Sequence, residues 1–244
     1  MENKKKLLVI IPAHNEERNI RKVFAQLKQN EISRVADILV IDDASSDQTR
    51  QVIEESGYML LKNRRHEGYG KTLQNGYRYA AAQNYAYVIQ MDADAQHDPC
   101  NIPVIYKRLL EEDSPDIVLA SRFMDGSSDF PVSVLRKAAY AMFRGIIRLA
   151  TGRVIADPTT GLQGLNRSAF TFYTQNEHFD RYPDANMVIQ MLLLGFRIVE
   201  IPAVMHARTD GRSMHHGLHA VTYMFRMFYS IAIVIFRIKV LKKT

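Results

Sequence analysis

Residues 91–99, MDADAQHDP, place three carboxylates, an amide and an imidazole directly after the apolar run YVIQ at 87–90. Charged groups are costly to bury unless they are paired or bind a metal, so this segment is either a solvated turn or a cation site. Asp92 and Asp94 would share one face of an extended chain, with Gln96 at the next such position. Their oxygen atoms suit Mg²⁺ or Mn²⁺. A D-x-D pair alone is common in loops and does not decide between the two interpretations.

The elements around this segment alternate between short apolar strands and amphipathic helices. Strands are predicted at 7–11, 38–41, 58–61, 85–91 and 117–120, and helices at 20–27, 47–56, 72–83 and 101–112. Continuous apolar strands separated by helices indicate a mostly parallel α/β sheet with helices on both faces. The carboxyl ends of such strands meet at one edge, where ligands bind. The sequence therefore predicts a site at that edge.

Polar residues follow each of these strands. The segment PAHNE (12–16) follows the first strand, Asp42 and Asp43 follow the second, and Asn63 follows the third. The segment GYGK (68–71) precedes a helix, where backbone N–H groups suit an anion, although it lacks the pattern of a P-loop. This gathering of polar groups at one edge favours a site over scattered solvation.

The second half of the chain is less regular. We predict a helix at 132–149, a glycine-rich loop at 157–164, a helix at 185–194 and a strand at 196–201. No repeat, low-complexity tract or linker divides the chain, so a single domain followed by a C-terminal helix is expected.

The composition limits the classes of partner. The 244 residues are 47% apolar, as in globular proteins, and carry a net charge of +6, which suits a polyanion such as a nucleotide or an acidic membrane surface. The basic residues are not interleaved with aromatic ones, which argues against nucleic acid. The single cysteine, Cys100, excludes an intrachain disulfide and indicates a reducing compartment. No secretory signal is expected, because Pro12 ends the first apolar run.

The C-terminal segment 218–241 is rich in Met, Phe, Tyr and Ile. Its uninterrupted apolar part, 227–236, has ten residues, whereas a membrane span needs roughly twenty. Cationic residues flank it on both sides, including Arg226 and Arg237. We predict a helix that lies on a membrane surface, or alternatively packs against the body of the protein or a second copy.

Several segments, taken in order, carry a family resemblance. VIIPAHNEE (9–17), VIDDASSDQT (40–49), GYGK (68–71) and DADAQ (92–96) resemble family 2 glycosyltransferases of the GT-A fold. ASRF (120–123), DPTTGL (157–162), EIP (200–202) and RTDGRS (208–213) resemble the dolichyl- or polyprenyl-phosphate sugar synthase branch. The resemblance covers roughly residues 7–215. It implies a Rossmann-like GT-A catalytic domain at 1–216, followed by a membrane-associated or oligomerisation helix at 217–244.

The resemblance also implies a role for individual residues. It assigns nucleotide-sugar binding to Pro12, Ala13, Glu16, Asp42, Asp43, Lys71, Asp92 and Ala93. It assigns the divalent cation, Mg²⁺ or Mn²⁺, to Asp94 and Gln96, and contacts with the acceptor phosphate to Arg122, Arg136, Arg212 and Ser213. Arg208 would reach the donor diphosphate or the acceptor phosphate. Asp94, Arg208 and Asp184 are the predicted catalytic residues.

The identity of the acceptor decides whether a base is needed. A phosphate acceptor is already an anion, so transfer to it requires positioning and stabilisation of the departing diphosphate. A sugar hydroxyl would need a carboxylate base. Asp184 lies where many family 2 enzymes place that base, although it could instead cap the following helix.

The leading hypothesis is a metal-dependent inverting glycosyltransferase at the cytoplasmic face of the membrane. It would use a UDP-, GDP- or dTDP-linked sugar and a polyprenyl phosphate, either alone, as a homo-oligomer or with a membrane partner protein. The alternative is extension of a polysaccharide or glycolipid with Asp184 as base. An inactive nucleotide-sugar-binding homologue stays open. A nucleotidyltransferase is a remote alternative, because that class needs a glycine-rich basic loop directly after the first strand, where this chain has PAHNEE.

The histidines at 206, 215, 216 and 219 do not predict a zinc site, because no cysteine or carboxylate accompanies them at the spacing of zinc ligands.

Overall fold

A seven-stranded sheet forms the centre of the protein. The computed structural model describes residues 6–128, 134–176, 179–206 and 218–242. The strands are β1 (Leu7–Ala13), β2 (Asp37–Asp42), β3 (Met59–Lys62), β4 (Tyr87–Gln90), β5 (Ile117–Ser121), β6 (Gln163–Asn166) and β7 (Ile198–Pro202). Their spatial order is β3-β2-β1-β4-β6-β5-β7, and every pairing is parallel except those of β6, which runs antiparallel to both β4 and β5.

Helices cover both faces of this sheet. They are α1 (Glu17–Gln29), α2 (Thr49–Ser56), α3 (Tyr69–Ala82), α4 (Asn101–Leu109), α5 (Val134–Thr151), α6 (Arg167–Gln175), α7 (Ala185–Leu193) and α8 (Leu218–Lys239), with a 3₁₀ turn at Ile32–Arg34. The prediction of a mostly parallel α/β sheet with helices on both faces is confirmed.

The central strand β1 shows why its sequence is continuously apolar. Leu7, Val9 and Ile11 point into one core with α1, α2 and α4, whereas Leu8 and Ile10 point into a second core with α3 and α5 to α8. All five side chains are fully buried. Because a strand alternates its side chains between two faces, a strand covered on both sides must be apolar at every position.

The largest departure from the sequence prediction lies in the second half. The loop predicted at 157–164 ends in β6, and the helix α6 follows directly. The four residues of β6, QGLN, contain no apolar run that would reveal a strand. In the first half, α3 begins at Tyr69 rather than at the predicted residue 72, and β4 is shorter than predicted.

The C-terminal helix α8 has two different sides. Met227 and Ile231 are buried in the core that α7 also contributes to, whereas Phe225, Tyr229 and Phe236 are exposed. The helix therefore packs against the body of the protein and still presents an apolar outer surface. Within the described ranges, α8 and every other helix are too short or too polar to cross a bilayer.

Candidate active site

The strand order creates a crevice at the carboxyl edge of the sheet. β1 pairs with β2 on one side and with β4 on the other. The chain therefore leaves β1 towards one half of the sheet and later crosses to the opposite half. Open α/β sheets bind ligands at the point where the strand order reverses in this way. The polar segments that follow β1, β2 and β4 meet there.

Asp43 anchors one wall of this crevice. Its Oδ1 accepts hydrogen bonds from Asn63 Nδ2 and the Glu67 backbone N–H at 2.8 Å, and its Oδ2 accepts one from the Gly68 N–H at 2.8 Å. His66 Nδ1 lies 2.9 Å from the same Oδ2. Burial alone would raise the pKa of Asp43, but these hydrogen bonds outweigh burial and the pKa lies below its ordinary value. The carboxylate thus fixes the loop that leads into α3.

Asp42 points away from this wall. It is fully buried, and its Oδ2 lies 2.8 Å from both Nε and Nη2 of Arg50 on α2. Its Oδ1 accepts a hydrogen bond from the Ser45 N–H at 3.0 Å. The two adjacent carboxylates therefore bind different elements: Asp43 holds the loop that leads into α3, and Asp42 holds α2.

The other residues predicted to bind the nucleotide-sugar line the same crevice or support it. Ala13 is buried, and its carbonyl accepts a hydrogen bond from the Asp43 N–H at 2.9 Å, at the end of the strand that also carries Pro12. Glu16 Oε2 accepts from Asn19 Nδ2 at 2.6 Å, which ties it to α1. Lys71, in the first turn of α3, donates to Gln74 Oε1 at 3.0 Å.

The DADAQ segment forms a tight turn rather than a continued strand. β4 ends at Gln90, and Ala95 adopts a left-handed backbone conformation with φ 60°. Asp94 Oδ1 accepts the Gln96 N–H at 3.1 Å. The chain therefore does not stay extended as far as Gln96, the condition under which Asp92, Asp94 and Gln96 would share a face, although the turn keeps Gln96 beside Asp94. Asp92 and Asp94 are partly exposed on either side of the buried Ala93.

Asp92 is held by two residues for which the sequence indicated no role. Its Oδ1 accepts a hydrogen bond from the Tyr69 hydroxyl at 2.7 Å, and its Oδ2 lies 3.2 Å from His97 Nε2. Burial would raise the pKa of Asp92, but the contacts with His97 and Tyr69 lower it overall. Burial and the Asp92 charge raise the pKa of Tyr69, which therefore stays a hydrogen-bond donor. Among the described residues, His97 Nδ1 is a buried atom without a hydrogen-bond partner.

Gly161 allows this arrangement. A Cβ atom at that position would lie 2.1 Å from Asp92 Oδ2, so only glycine lets the DPTTGL segment approach the carboxylate. This contact joins the second half of the chain to the D-x-D turn. A sequence pattern could indicate the glycine but not its partner.

Arg122 is bound to Asp157 in a nearly buried ion pair. Its Nε donates to Asp157 Oδ2 and its Nη2 donates to Asp157 Oδ1, both at 2.7 Å. Nη2 also donates to Thr159 Oγ1 at 2.8 Å. Burial would lower the pKa of Arg122, but the bonds to Asp157 raise it overall. The guanidinium predicted to contact the acceptor phosphate thus already has two of its nitrogen atoms engaged by protein oxygens.

Asp184 belongs to the same neighbourhood. It stands at the N-cap position of α7, yet its side chain makes no capping hydrogen bond. Its negative charge contributes to the raised pKa of both Arg122 and Tyr69. The charge of Asp184 therefore acts on Arg122 and on Tyr69, the residue that donates to Asp92, and its side chain does not cap α7.

Four predicted residues cannot be compared with this geometry. Arg208, Arg212 and Ser213 lie outside the described residues. Arg136 belongs to α5, but its side chain also lies outside the description.

Two sets of side chains among the described residues carry atoms that suit a cation. Asp94 and Gln96, which are predicted to bind the cation, carry a carboxylate and an amide oxygen, and both types of oxygen suit Mg²⁺ or Mn²⁺. His14, Asp43 and His66 form a second set, whose ligand atoms lie within 4.8 Å of one another. Two imidazoles favour later transition metals such as zinc or nickel over Mg²⁺. The two sets therefore differ in the metal that they suit.

Comparison with known proteins gives a family match and relatives of which this chain spans between about half and most of the length. The family model described as Glycosyl transferase family 2 matches residues 8–173. Undecaprenyl-phosphate mannosyltransferase of Micrococcus luteus is 27% identical over 220 residues, which cover 87% of this chain and 88% of the relative. Dolichol-phosphate mannosyltransferase of Pyrococcus furiosus is 26% identical over 91% of this chain and 63% of its own length. A third relative, the uncharacterized protein MJ0544 of Methanocaldococcus jannaschii, is 37% identical over 48% of this chain, which spans about half (52%) of that protein.

Solved structures support the fold. Glucosyl-3-phosphoglycerate synthase from Mycobacterium tuberculosis, in complex with Mn²⁺ and UDP-glucose, superposes with a TM-score of 0.67 at 19% identity. The match covers 95% of this chain and 79% of that one. The complex of the same enzyme with Mn²⁺, UDP and phosphoglyceric acid gives a TM-score of 0.68.

Proposed function

Because this chain belongs to glycosyl transferase family 2, we propose that it is a metal-dependent inverting enzyme that moves a sugar from a nucleotide-sugar to a polyprenyl phosphate. The observation that carries the proposal is the meeting of the D-x-D turn after β4 with the loop anchored by Asp43, at the switch point of the sheet. Relatives over most of the chain are named for transfer of mannose with undecaprenyl phosphate or dolichol phosphate.

The chain's own residues divide the work of binding and positioning. The end of β1 and the Asp43 loop form the pocket for the nucleoside, and Asp94 and Gln96 would hold the divalent cation. When bound, that cation stabilises negative charge on the departing diphosphate. Tyr69 and His97 keep Asp92 ionised and oriented beside the pocket.

The reaction needs no base when the acceptor is a phosphate. An oxygen of the phosphate attacks the anomeric carbon from the face opposite the leaving group, and a C–O bond forms. The bond from that carbon to the diphosphate oxygen breaks, and the nucleoside diphosphate leaves with the electron pair. The protein's contribution is then orientation of the two substrates.

The outer side of α8 supports an acceptor that resides in a membrane. Exposed Phe225, Tyr229 and Phe236 offer apolar contact, and Arg237 and Lys239 stand in the last turn. A helix of this kind binds at the headgroup level of an anionic bilayer. We therefore propose that the enzyme works at the cytoplasmic face of a membrane, where a second copy or a membrane protein could also contact this helix.

A radiolabel assay tests the proposal. UDP-, GDP- and dTDP-linked sugars are offered in turn with Mn²⁺ and a polyprenyl phosphate, and label is counted in the organic and aqueous phases. We expect label in the organic phase with one class of donor, and loss of transfer after addition of EDTA. Asp94→Asn should lower kcat/KM by roughly 10²- to 10³-fold, whereas the exposed Asp125→Asn should not. Label that stays aqueous with every donor would overturn the lipid acceptor, and binding without turnover would identify an inactive homologue.

A second candidate is transfer to a sugar hydroxyl of a growing polysaccharide or glycolipid. The observation that favours it is the position of Asp184, whose charge raises the pKa of Arg122 and of Tyr69. As general base, Asp184 would take the hydroxyl proton while the sugar is transferred. Asp184→Asn then costs roughly 10²-fold or more in rate. With a phosphate acceptor, the same variant keeps most of its activity and shows no new dependence on pH.

A further inference from the structure

A cavity of about 360 Å³ lies between α8 and the segment 179–182 that precedes α7. One wall is a stripe of α8, formed by Arg226, Tyr229, Ile233 and Arg237. This spacing of three and four residues places them on one side of the helix. From the first arginine to the last, the stripe extends roughly 16 Å at 1.5 Å per residue. The cavity is thus bordered by a long apolar wall with a cation towards each end.

The opposite wall is attached to the donor side of the active site. The Gly70 N–H donates to the Arg181 carbonyl at 3.0 Å. A Cβ atom at Gly70 would lie 2.0 Å from the Asp180 carbonyl oxygen, so the two backbones touch directly. Arg181 Nε lies 3.5 Å from the place of a Cβ on Gly68, whose N–H binds Asp43. The exposed Arg181 therefore stands between the cavity and the loop that Asp43 anchors.

The charge of the cavity favours an anion. Arg181, Arg226 and Arg237 all line it, against one carboxylate, Asp180. Asp180 Oδ2 accepts hydrogen bonds from Asn186 Nδ2 at 2.7 Å and from the Ser230 hydroxyl, and Oδ1 accepts the Tyr182 N–H at 3.1 Å. The carboxylate is thus occupied by the wall itself. In the described part of the chain, no acidic group lies within salt-bridge distance of Arg181.

We propose that this cavity is the acceptor site, with the isoprenoid chain along the apolar wall of α8 and the phosphate at Arg181. The inference rests on the proposed function, since it assumes a phosphorylated isoprenoid as acceptor. It assigns the phosphate contact to a residue that the sequence did not single out. Arg122, which the sequence did single out, is held by Asp157. Arg226 and Arg237 border the path of the chain and face the negative surface of the bilayer from which it comes.

Arg181→Gln tests the phosphate contact. A charge-assisted hydrogen bond to phosphate is lost, so KM for a short-chain polyprenyl phosphate should rise ten- to hundredfold, while KM for the donor stays within about twofold. Arg181→Lys should recover part of the loss, because it restores the charge without the planar fork. Arg153→Gln, at an exposed arginine outside the cavity, is the matched control. An unchanged acceptor KM in Arg181→Gln would overturn the assignment.

A pair of substitutions tests the apolar wall of α8. Ile233 on α8 and Leu149 on α5 are both exposed, but only Ile233 lines the cavity. Ile233→Asp should raise the acceptor KM in detergent at least tenfold more than Leu149→Asp. A photoreactive polyprenyl phosphate should label peptides from 179–182 and from α8. Equal effects of the two substitutions, or labelling confined to other segments, would overturn the proposal.

The two proposals fail in different ways. If the unaltered protein transfers no sugar to polyprenyl phosphate with any donor, the proposed function fails and this inference fails with it. If the unaltered protein does transfer sugar, but Arg181→Gln and Ile233→Asp behave as their controls do, only the location of the acceptor is wrong. Urea unfolding of each variant shows that the changes in KM do not reflect a loss of folded protein.

Discussion

The two halves of the sheet are held together by different kinds of contact. In the half formed by β1 to β4, a strand-end carboxylate accepts backbone N–H groups from the next loop, as Asp43 does from Glu67 and Gly68. In the half formed by β5 to β7, side chains far apart in sequence pair with one another, as Arg122 does with Asp157. In the first half these contacts fix loops that follow neighbouring strands, whereas in the second half an ion pair joins distant segments. Substitution of Asp43 should therefore affect binding, and substitution in the Arg122–Asp157 pair should affect folding.

The largest effect on folding is expected at the buried ion pair of the second half. Asp157→Asn leaves Arg122 with an unpaired charge in a nearly buried position, which should lower the free energy of unfolding by about 3–5 kcal/mol. Urea denaturation measures the change. Glu54→Gln removes the partner of Lys62 in an exposed pair and should cost less than about 1 kcal/mol. Similar losses in both variants would contradict the distinction between the two halves.

The next effect is expected where the two halves touch. In Gly161→Ala the new methyl group collides with Asp92, so the carboxylate must leave Tyr69 and His97. Overpacking should cost about 1–3 kcal/mol of unfolding free energy, and sugar transfer should fall as well. Gly145→Ala is the control, since a Cβ atom there meets nothing within 4 Å and should stabilise α5 by about 0.5–1 kcal/mol. Unchanged activity in Gly161→Ala would show that the position of Asp92 is unimportant.

Two adjacent residues of the first half should separate binding from folding. Asp43→Asn removes an acceptor for the loop before α3, so the Kd for a nucleoside diphosphate should rise about tenfold, as expected for a loss near 1.4 kcal/mol. Asp42→Asn weakens the contact with Arg50 and should lower stability with little change in Kd. Isothermal titration calorimetry and urea unfolding give the two quantities. If Asp42→Asn weakens nucleotide binding as strongly, Asp42 also belongs to the pocket.

The smallest effect is the dependence of stability on acid. The folded-state pKa values of Asp43 and Asp92 both lie below the ordinary value of 3.8. The unfolded chain therefore binds protons at a higher pH than the folded chain does. These groups stabilise the fold above about pH 4, and the contribution is lost as the pH falls through their folded pKa values. The urea concentration at the midpoint of unfolding should fall between pH 5 and pH 3, and it should fall less in Asp43→Asn than in the unaltered protein. An equal fall in both proteins would show that Asp43 does not contribute to the acid dependence of stability.

Much of the first half could be predicted from the sequence because its signals are local. Apolar runs revealed β1 to β5, and the polar residues after each strand revealed the edge where the crevice lies. The pattern gave Asp42 and Asp43 the same role, although adjacent residues of a strand point to opposite faces. That alternation was available in the sequence and would have separated them.

The rest could not be predicted because it depends on packing between distant segments. Nothing near Tyr69 or His97 indicates that both would contact Asp92, and the partner of Arg122 lies 35 residues away. β6 has only four residues, and it pairs antiparallel with β4 on one side and β5 on the other. Its position therefore depends on those two strands rather than on its own sequence. Nothing in the sequence near Arg181 indicates that this residue lines a cavity beside α8.

The position of β6 also bears on the order in which the chain folds. β1, β2 and β3 pair with strands of the first half. One edge of β4 pairs only with β6, where Val88 lies opposite Leu165. During synthesis we expect the first half to collapse early, with that edge of β4 unpaired until β6 emerges. An unpaired strand edge is a template for aggregation. A chain ended before residue 163 should therefore aggregate even though it contains β1 to β4 and the loops that follow them.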